Sequence, residues 1–140
     1  MTAFVADASV VLAWYHAEQY SDAAVRLGGP DVTFHAPEVL AAEVTNGFWK
    51  WMRSGILQPD DAEWLVYAFR RFPFQWHSLE PLIDPALHLA VNHDHPVYDC
   101  LYLALALREG CQLVTGDRRF YNKVAPAYPD TMLWIEDVPP

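Results

Sequence analysis

Four acidic residues occupy positions from which their side chains could bind a metal ion together. Asp7 and Asp117 each follow a short apolar segment typical of a strand, and ligands bind beyond the carboxyl ends of the strands in parallel α/β sheets. Glu43 and Asp99 lie among apolar neighbours in helix-like segments, where a carboxylate must be paired, protonated or bound to a metal. These contexts predict one acidic site, provided that the fold brings the four residues together.

The donor atoms indicate which ion such a site would hold. Two carboxylates about 4 Å apart repel by roughly 4 kcal/mol at an effective dielectric constant near 20, so the four cannot all remain ionised without help. A divalent cation would relieve that repulsion. Because no histidine or cysteine stands at these positions, the hard ions Mg²⁺ and Mn²⁺ fit the site better than Zn²⁺ does.

Three of the four residues also have an ordinary structural explanation. Asp7 and Asp117 could each cap the helix that follows, and Asp99 lies in the first turn of a predicted helix, where a negative charge meets the positive end of the helix dipole. Glu43 has no such explanation because it lies well inside its helix. The metal-site hypothesis therefore depends on the combination of the four contexts.

The elements that must position these residues alternate between strands and helices. Strands are predicted over residues 2–6, 32–36, 74–79, 112–115 and 132–135. Helices are predicted over residues 8–14, 37–54, from 59 onward, 84–92, 96–110 and from 118 onward, and residues 101–107 are apolar nearly all round, which is typical of a central buried helix. The alternation predicts one α/β domain over residues 1–140, with a mostly parallel central sheet of four to five strands flanked by helices.

Composition excludes several classes of protein. The chain has 140 residues, of which 53% are hydrophobic, so it can fold as one domain with a packed core. A net charge of −9 argues against a nonspecific nucleic-acid coat, although it leaves nucleic acid open as a substrate. No apolar run approaches the roughly 20 residues of a membrane span, and Asp7 interrupts any secretory signal, so we expect no membrane association and a cytoplasmic location. Cys100 and Cys111 would lie about 16 Å apart on a helix, beyond disulfide reach.

Four segments of the chain resemble the motifs of a known family. They are Val5-Ala6-Asp7-Ala8-Ser9, Glu43-Val44-Thr45-Asn46 within residues 37–46, Tyr98-Asp99-Cys100-Leu101-Tyr102-Leu103-Ala104, and Val114-Thr115-Gly116-Asp117-Arg118-Arg119-Phe120. Together they resemble a PIN domain, and more narrowly the VapC toxins of bacterial and archaeal type II toxin–antitoxin modules. Each segment is a weak signal alone, whereas four in order over nearly the whole chain are specific.

The resemblance implies a metal-dependent endoribonuclease in which one or two Mg²⁺ ions, for which Mn²⁺ can substitute, are held by Asp7, Glu43, Asp99 and Asp117. It also implies supporting residues. Ser9 and Thr115 would orient the carboxylates or a coordinated water, Asn46 shares a helix face with Glu43, and Arg118 and Arg119 adjoin the site and would contact the RNA backbone. Metal coordination lowers the pKa of water for in-line attack on a phosphodiester, leaving 5′-phosphate and 3′-hydroxyl ends, and the six histidines are expected to be dispensable.

The resemblance further implies partners. These are an RNA substrate, a cognate VapB-type antitoxin and a second copy of the chain in a homodimer. Eight aromatic residues on and near two adjacent helices, more than one small core needs, indicate a groove or dimer face as well as core; they are Phe48, Trp49, Trp51, Trp64, Tyr67, Phe69, Phe72 and Trp76.

Two alternative functions remain open at this point. A non-catalytic PIN-like interaction domain would carry the same motifs without activity. A Mg²⁺-binding receiver-type signalling module has a similar length, but it needs an acidic pair after its first strand, where Asp7 stands without an acidic neighbour. A zinc site at His93-Asp94-His95 is disfavoured by poor ligand spacing, and these residues are expected to form an exposed loop.

Overall fold

A five-stranded sheet lies at the centre of the structure, a computed structural model that describes residues 2–16 and 20–140. The strands are β1 (Thr2–Ala6), β2 (Val32–Pro37), β3 (Gln75–His77), β4 (Gln112–Thr115) and β5 (Met132–Trp134). All neighbouring strands pair in parallel, in the order β3-β2-β1-β4-β5. This confirms the predicted α/β class and the predicted sheet of four to five mostly parallel strands.

Helices pack against the sheet, as expected of an all-parallel sheet, whose faces are normally covered. They are α1 (Ala8–Ala13), α2 (Ser21–Arg26), α3 (Val39–Arg53), α4 (Pro59–Arg71), α5 (Ile83–His93), α6 (Val97–Glu109) and α7 (Arg118–Val124), with short 3₁₀ helices at Glu80–Leu82 and Ile135–Asp137. In the part of the chain that the structure describes, none of these helices is long and apolar enough to cross a membrane.

Helix α6 forms the centre of the core. Every residue from Cys100 to Ala106 is buried, and the helix packs against α5 and against strands β1, β2 and β4. The prediction of a central buried helix is confirmed. Both cysteines are free, as expected, because α6 separates Cys100 from Cys111.

The strand order switches sides at β1, because the chain continues to β2 and β3 on one side and places β4 and β5 on the other. Strand β1 pairs with β2 on one side and with β4 on the other. A parallel sheet binds ligands at such a switch point, in the crevice beyond the carboxyl ends of the strands. In this fold, the residues at that point are those that follow β1 and β4.

Pro37 was predicted in the first turn of a helix, and that prediction is wrong: Pro37 is the last residue of β2 and the helix begins at Val39. The N–H of the next residue, Glu38, donates to the carbonyl of His77 on the β3 side. Position 37 therefore directs its backbone nitrogen towards β1, where the ladder ends at His35, so the missing N–H of proline costs no hydrogen bond.

Other boundaries differ for similar local reasons. The strand predicted over residues 74–79 is limited to Gln75–His77, because its partner β2 ends opposite His77. Helix α2 was not predicted, since its six residues are too few to show a clear helical period. Of the aromatic residues, Phe48 and Phe69 are buried whereas others remain on the surface; Trp49, Trp64, Tyr67 and Trp76 are 41–65% exposed.

Candidate metal centre

Three of the predicted acidic side chains, Asp7, Glu43 and Asp117, lie around the fourth, Asp99. Asp7 follows β1 and Asp117 follows β4, while Glu43 projects from α3 and Asp99 from the first turn of α6. Electrostatic interactions connect Asp99 to each of the other three carboxylates. The fold therefore brings together residues that are far apart in the sequence, at the switch point of the sheet.

Asp7 is the most deeply buried of the four, with 3% of its surface exposed. One carboxylate oxygen, Oδ1, accepts hydrogen bonds from the Ser9 hydroxyl at 2.5 Å and from the Val10 N–H at 3.3 Å, and the other, Oδ2, accepts one from the Thr115 hydroxyl. Burial, reinforced by the charge of Asp99, raises the pKa of Asp7 to about 7 although the hydroxyl donors oppose the shift. Asp7 thus caps α1 and also belongs to the cluster.

The hydroxyls of Ser9 and Thr115 connect Asp7 to the loop after β4. Thr115 Oγ1 accepts a hydrogen bond from the Asp117 N–H at 3.0 Å, and Ser9 Oγ accepts one from the Gly116 N–H at 2.9 Å. Each hydroxyl therefore donates to Asp7 and accepts from a backbone N–H in the loop after β4. This arrangement fixes the position of both oxygens of Asp7 relative to Asp117.

Glu43 is half-buried on α3 and receives a hydrogen bond from the hydroxyl of Tyr102. Burial raises the pKa of Glu43, the Tyr102 hydroxyl lowers it, and the charge of Asp99 raises it again. Sequence analysis assigned Tyr102 only to the apolar helix. The feature of the sequence that could have identified Tyr102 is its hydroxyl, because a buried tyrosine O–H usually has a hydrogen-bond partner.

His95 is a second residue whose place in the site was missed. It was expected in an exposed loop, and this is wrong, because the side chain is buried and stacks on Phe120 with the ring centroids 4.9 Å apart. Its Nε2 lies 2.6 Å from Asp99 Oδ2. Of the same loop, Asp94 is exposed and His93 is half-buried against Tyr128. The four-residue spacing between His95 and Asp99 was the available signal.

The remaining candidate residues lie on either side of the acids. Asp117 caps α7 by accepting a hydrogen bond from the Phe120 N–H at 3.2 Å. Arg118 and Arg119 follow on the surface, and the guanidinium of Arg118 lies 3.7 Å from the ring centroid of Trp134. Stacking on an aromatic ring restrains the arginine while leaving its edge exposed to solvent.

A cleft of about 290 Å³ opens beside Glu43. Its lining residues all come from α1 and α3; they are Ala8, Leu12, Glu43, Asn46, Gly47, Lys50 and Trp51. The two helices approach closely here, since a Cβ atom at Gly47 would lie 2.7 Å from the Leu12 side chain. Asn46 is exposed, and together with Lys50 it gives the cleft hydrogen-bonding and positive groups next to the acids.

The charge of the cluster is balanced by few partners. Among residues 2–16 and 20–140, no lysine or arginine forms an ion pair with any of the four carboxylates, and Asp99 has only His95. The donors are oxygens, and burial raises the pKa values of Asp7, Glu43 and Asp99. Such a donor set fits a hard divalent cation.

Comparison with known proteins agrees with this architecture. A model of the PIN domain family matches residues 4–125. Ribonuclease VapC3 of Pyrobaculum aerophilum is 35% identical over 121 residues, covering 85% of this chain and 92% of that protein.

Two solved structures share the fold. A toxin–antitoxin complex from Klebsiella pneumoniae aligns with a TM-score of 0.63 at 13% identity, over 95% of this chain and 96% of that one. The crystal structure of PAE2754 from Pyrobaculum aerophilum aligns with a TM-score of 0.63 at 21% identity, over 96% of this chain and 85% of that one.

The raised pKa of Asp7 predicts a pH-dependent stability in the presence of a chelator. The folded state keeps the Asp7 proton up to about pH 7, whereas the unfolded chain releases it near 3.8. The free energy of unfolding should therefore fall as the pH rises from 4 to 7, by up to roughly 4 kcal/mol from this residue. Denaturant titrations of the wild type and Asp7→Asn in EDTA measure this slope. The variant should lose most of it and be the more stable protein at pH 8, whereas the exposed control Asp31→Asn should keep the wild-type slope; parallel curves for all three would contradict the assignment.

The Tyr102 hydroxyl predicts a second effect, on metal affinity. Tyr102→Phe keeps the buried ring but removes the donor that orients Glu43, so we expect Mg²⁺ affinity measured by calorimetry to fall about tenfold. Tyr98→Phe on the same helix, where the side chain is exposed, should bind Mg²⁺ as the wild type does. Equal affinities in the two variants would show that the hydroxyl does not support the site.

Proposed function

The chain belongs to the PIN-domain family, and from this premise we propose that it is a Mg²⁺-dependent endoribonuclease acting as the toxin of a type II toxin–antitoxin module, with all of residues 1–140 forming the domain. The observation that carries the proposal is the convergence of three acidic side chains, Asp7, Glu43 and Asp117, on a fourth, Asp99, at the switch point of the sheet. Similarity to Ribonuclease VapC3 over most of both chains supports RNA as the substrate.

In this proposal Asp7, Glu43, Asp99 and Asp117 hold the cation. Bound Mg²⁺, or Mn²⁺ in its place, supplies a Lewis acid that activates water and stabilises the charge that develops during phosphodiester hydrolysis. The residues around the acids keep them in position. Ser9 and Thr115 hold Asp7 by hydrogen bonds. Tyr102 supports Glu43, and His95 supports Asp99, in the same way. Neutral hydroxyl donors orient a carboxylate without cancelling its charge, so it remains a ligand for the ion.

The RNA strand is proposed to cross the acids between two polar flanks. On one side lies the cleft beside Glu43, with Asn46 and Lys50 in its lining. On the other side Arg118 and Arg119 begin α7 directly after Asp117. Positive and hydrogen-bonding groups on both flanks suit a phosphate backbone, which proteins contact mainly through arginine, lysine and polar side chains.

We also propose two protein partners, a cognate VapB-type antitoxin and a second copy of the chain, with the assembly in the cytoplasm. Similarity to a toxin–antitoxin complex in fold supports the first partner. Helices α3 and α4 offer it a groove of about 510 Å³, which is lined by Thr45, Phe48, Trp49, Met52, Pro59, Ala62, Glu63 and Val66. The exposed rings of Trp49 and Trp64 are of the kind enriched at protein interfaces.

The proposed activity predicts loss of cleavage when a ligand is removed. Asp99→Asn and Asp7→Asn should reduce Mg²⁺-dependent cleavage of total RNA to the background level, because the ion loses a charged ligand. Asp31→Asn, an exposed acid outside the site, should cleave at the wild-type rate. Chelation by EDTA should stop the reaction and added Mn²⁺ should restore it.

Several outcomes would contradict the proposal. Near wild-type cleavage by Asp99→Asn, with the fold intact by circular dichroism, would exclude the four-acid site as the catalytic centre. Absence of cleavage by the wild type across RNA classes would favour the non-catalytic PIN-like domain. Phosphate transfer to an aspartate from a small phosphodonor would favour the receiver-type alternative.

A further inference from the structure

A second group of potential metal ligands lies on a different part of the sheet from the four acids. His35 Nδ1 lies 2.9 Å from His77 Nε2 and 3.9 Å from Glu109 Oε1, and the three ligand atoms are all within 4.8 Å of one another. Glu109 ends α6, whose first turn carries Asp99. The two positions are ten residues apart on the helix, which corresponds to about 15 Å.

Strand register brings the two histidines together. In the parallel pair β2–β3, His35 lies opposite Gln75 and Pro37 opposite His77. His77 lies two residues beyond the partner of His35. Because side chains alternate between faces along a strand, the two histidines point to the same face of the sheet. Helix α6 packs against β2, and its last residue places Glu109 beside them.

The three side chains present their donor atoms in the correct direction for one ion. Glu109 Oε2 is 3.1 Å from Arg108 Nε, so its other oxygen, Oε1, is the one that faces His35. His35 and His77 are half-buried, which restrains both rings, while Glu109 is more exposed. In a tetrahedral Zn²⁺ site with bonds of about 2.0–2.2 Å, neighbouring ligand atoms lie roughly 3.3 Å apart. The observed separations of 2.9 and 3.9 Å bracket that value.

We propose that His35, His77 and Glu109 form a Zn²⁺ site, separate from the proposed Mg²⁺ centre. Two imidazoles and one carboxylate are a ligand set of zinc, with the fourth position left to water, whereas Mg²⁺ prefers oxygen donors. A bound ion would tie the edge strand β3 and its neighbour β2 to the C-terminal end of α6. Its expected effect is therefore greater stability of the fold.

Arg108 opposes metal binding. Its guanidinium donates to His77 Nδ1 at 3.0 Å, so the proton of the neutral imidazole lies on Nε2, directed at His35. Burial, together with the charges of Arg108 and the neighbouring His35, keeps the pKa of His77 below its usual value despite Glu109. For Nε2 to bind Zn²⁺, that proton must move to Nδ1, and Arg108 must release the ring. No proton is lost from the imidazole in this exchange.

Zinc binding by the untagged protein tests the site directly. With Mg²⁺ in excess, competition with a chromophoric chelator should show one Zn²⁺ per chain, and Zn²⁺ should raise the melting temperature. His77→Gln and Glu109→Gln should each weaken Zn²⁺ binding at least tenfold. His88→Gln, which removes an exposed histidine from α5, should bind as the wild type does, and so should Asp7→Asn. Glu109 is at the surface, so its variant remains informative if His77→Gln does not fold.

Two results would overturn the proposal. Equal Zn²⁺ affinity in the wild type, His88→Gln and Glu109→Gln would place the ion elsewhere. Loss of the ion in Asp7→Asn but not in Glu109→Gln would assign it to the acidic centre.

Arg108 provides a variant with the opposite expected effect. Arg108→Ala removes both a competing donor to His77 and a positive charge next to the ion, so Zn²⁺ affinity should rise several-fold. Arg70→Ala, an exposed arginine on α4, is the matched control. Unchanged binding by Arg108→Ala would contradict the ligand role of His77 Nε2.

Discussion

Repulsion between carboxylates around Asp99 is the constraint on which the rest of the site depends. Burial removes water from Asp7 almost completely, and the charge of Asp99 adds to the cost of ionising it, so its pKa rises to about 7. The Ser9 and Thr115 hydroxyls oppose that cost by donating hydrogen bonds to Asp7, and His95 lies within hydrogen-bond distance of Asp99. Hydrogen bonds from hydroxyls stabilise an anion without neutralising it. The cluster consequently keeps a strong negative field, which a divalent cation can satisfy better than protons can.

The fold places the mutually repelling carboxylates at backbone positions that hold them in place. Asp7 and Asp117 both follow parallel strands and both cap helices, so their main chains are fixed by the sheet and their carboxylates by helix N–H groups. Capping and metal binding were alternative explanations at the level of sequence. The structure shows that capping accompanies membership of the acidic cluster, because a cap leaves lone pairs of the carboxylate free for another partner. The two explanations therefore do not compete.

The four acids could be identified as candidates from their local sequence contexts, whereas the contacts that Tyr102 and His95 make with them could not be predicted. Asp7 and Asp117 were found because a residue after a parallel strand has a known edge to occupy. Tyr102 was missed since its hydroxyl finds Glu43 across 59 positions of sequence, within a helix that otherwise reads as apolar core. His95 was missed because the polar segment before Pro96 is typical of an exposed loop, and its burial depends on the ring of Phe120 from α7. The ends of strands were predicted poorly for the same reason. At Pro37, the neighbouring strand determines whether a proline is tolerated.

Helix α6 explains how one small domain can offer two different donor sets without mixing them. Its middle is apolar and buried all round, so the helix cannot rotate or slide without exposing core. Charged side chains are therefore confined to its two ends. At the first turn Asp99 meets other carboxylates, and at the last turn Glu109 meets two imidazoles. Carboxylate-rich and imidazole-rich surroundings differ in the ions that they favour, so the spacing imposed by the buried part of the helix also separates the chemistry of its ends.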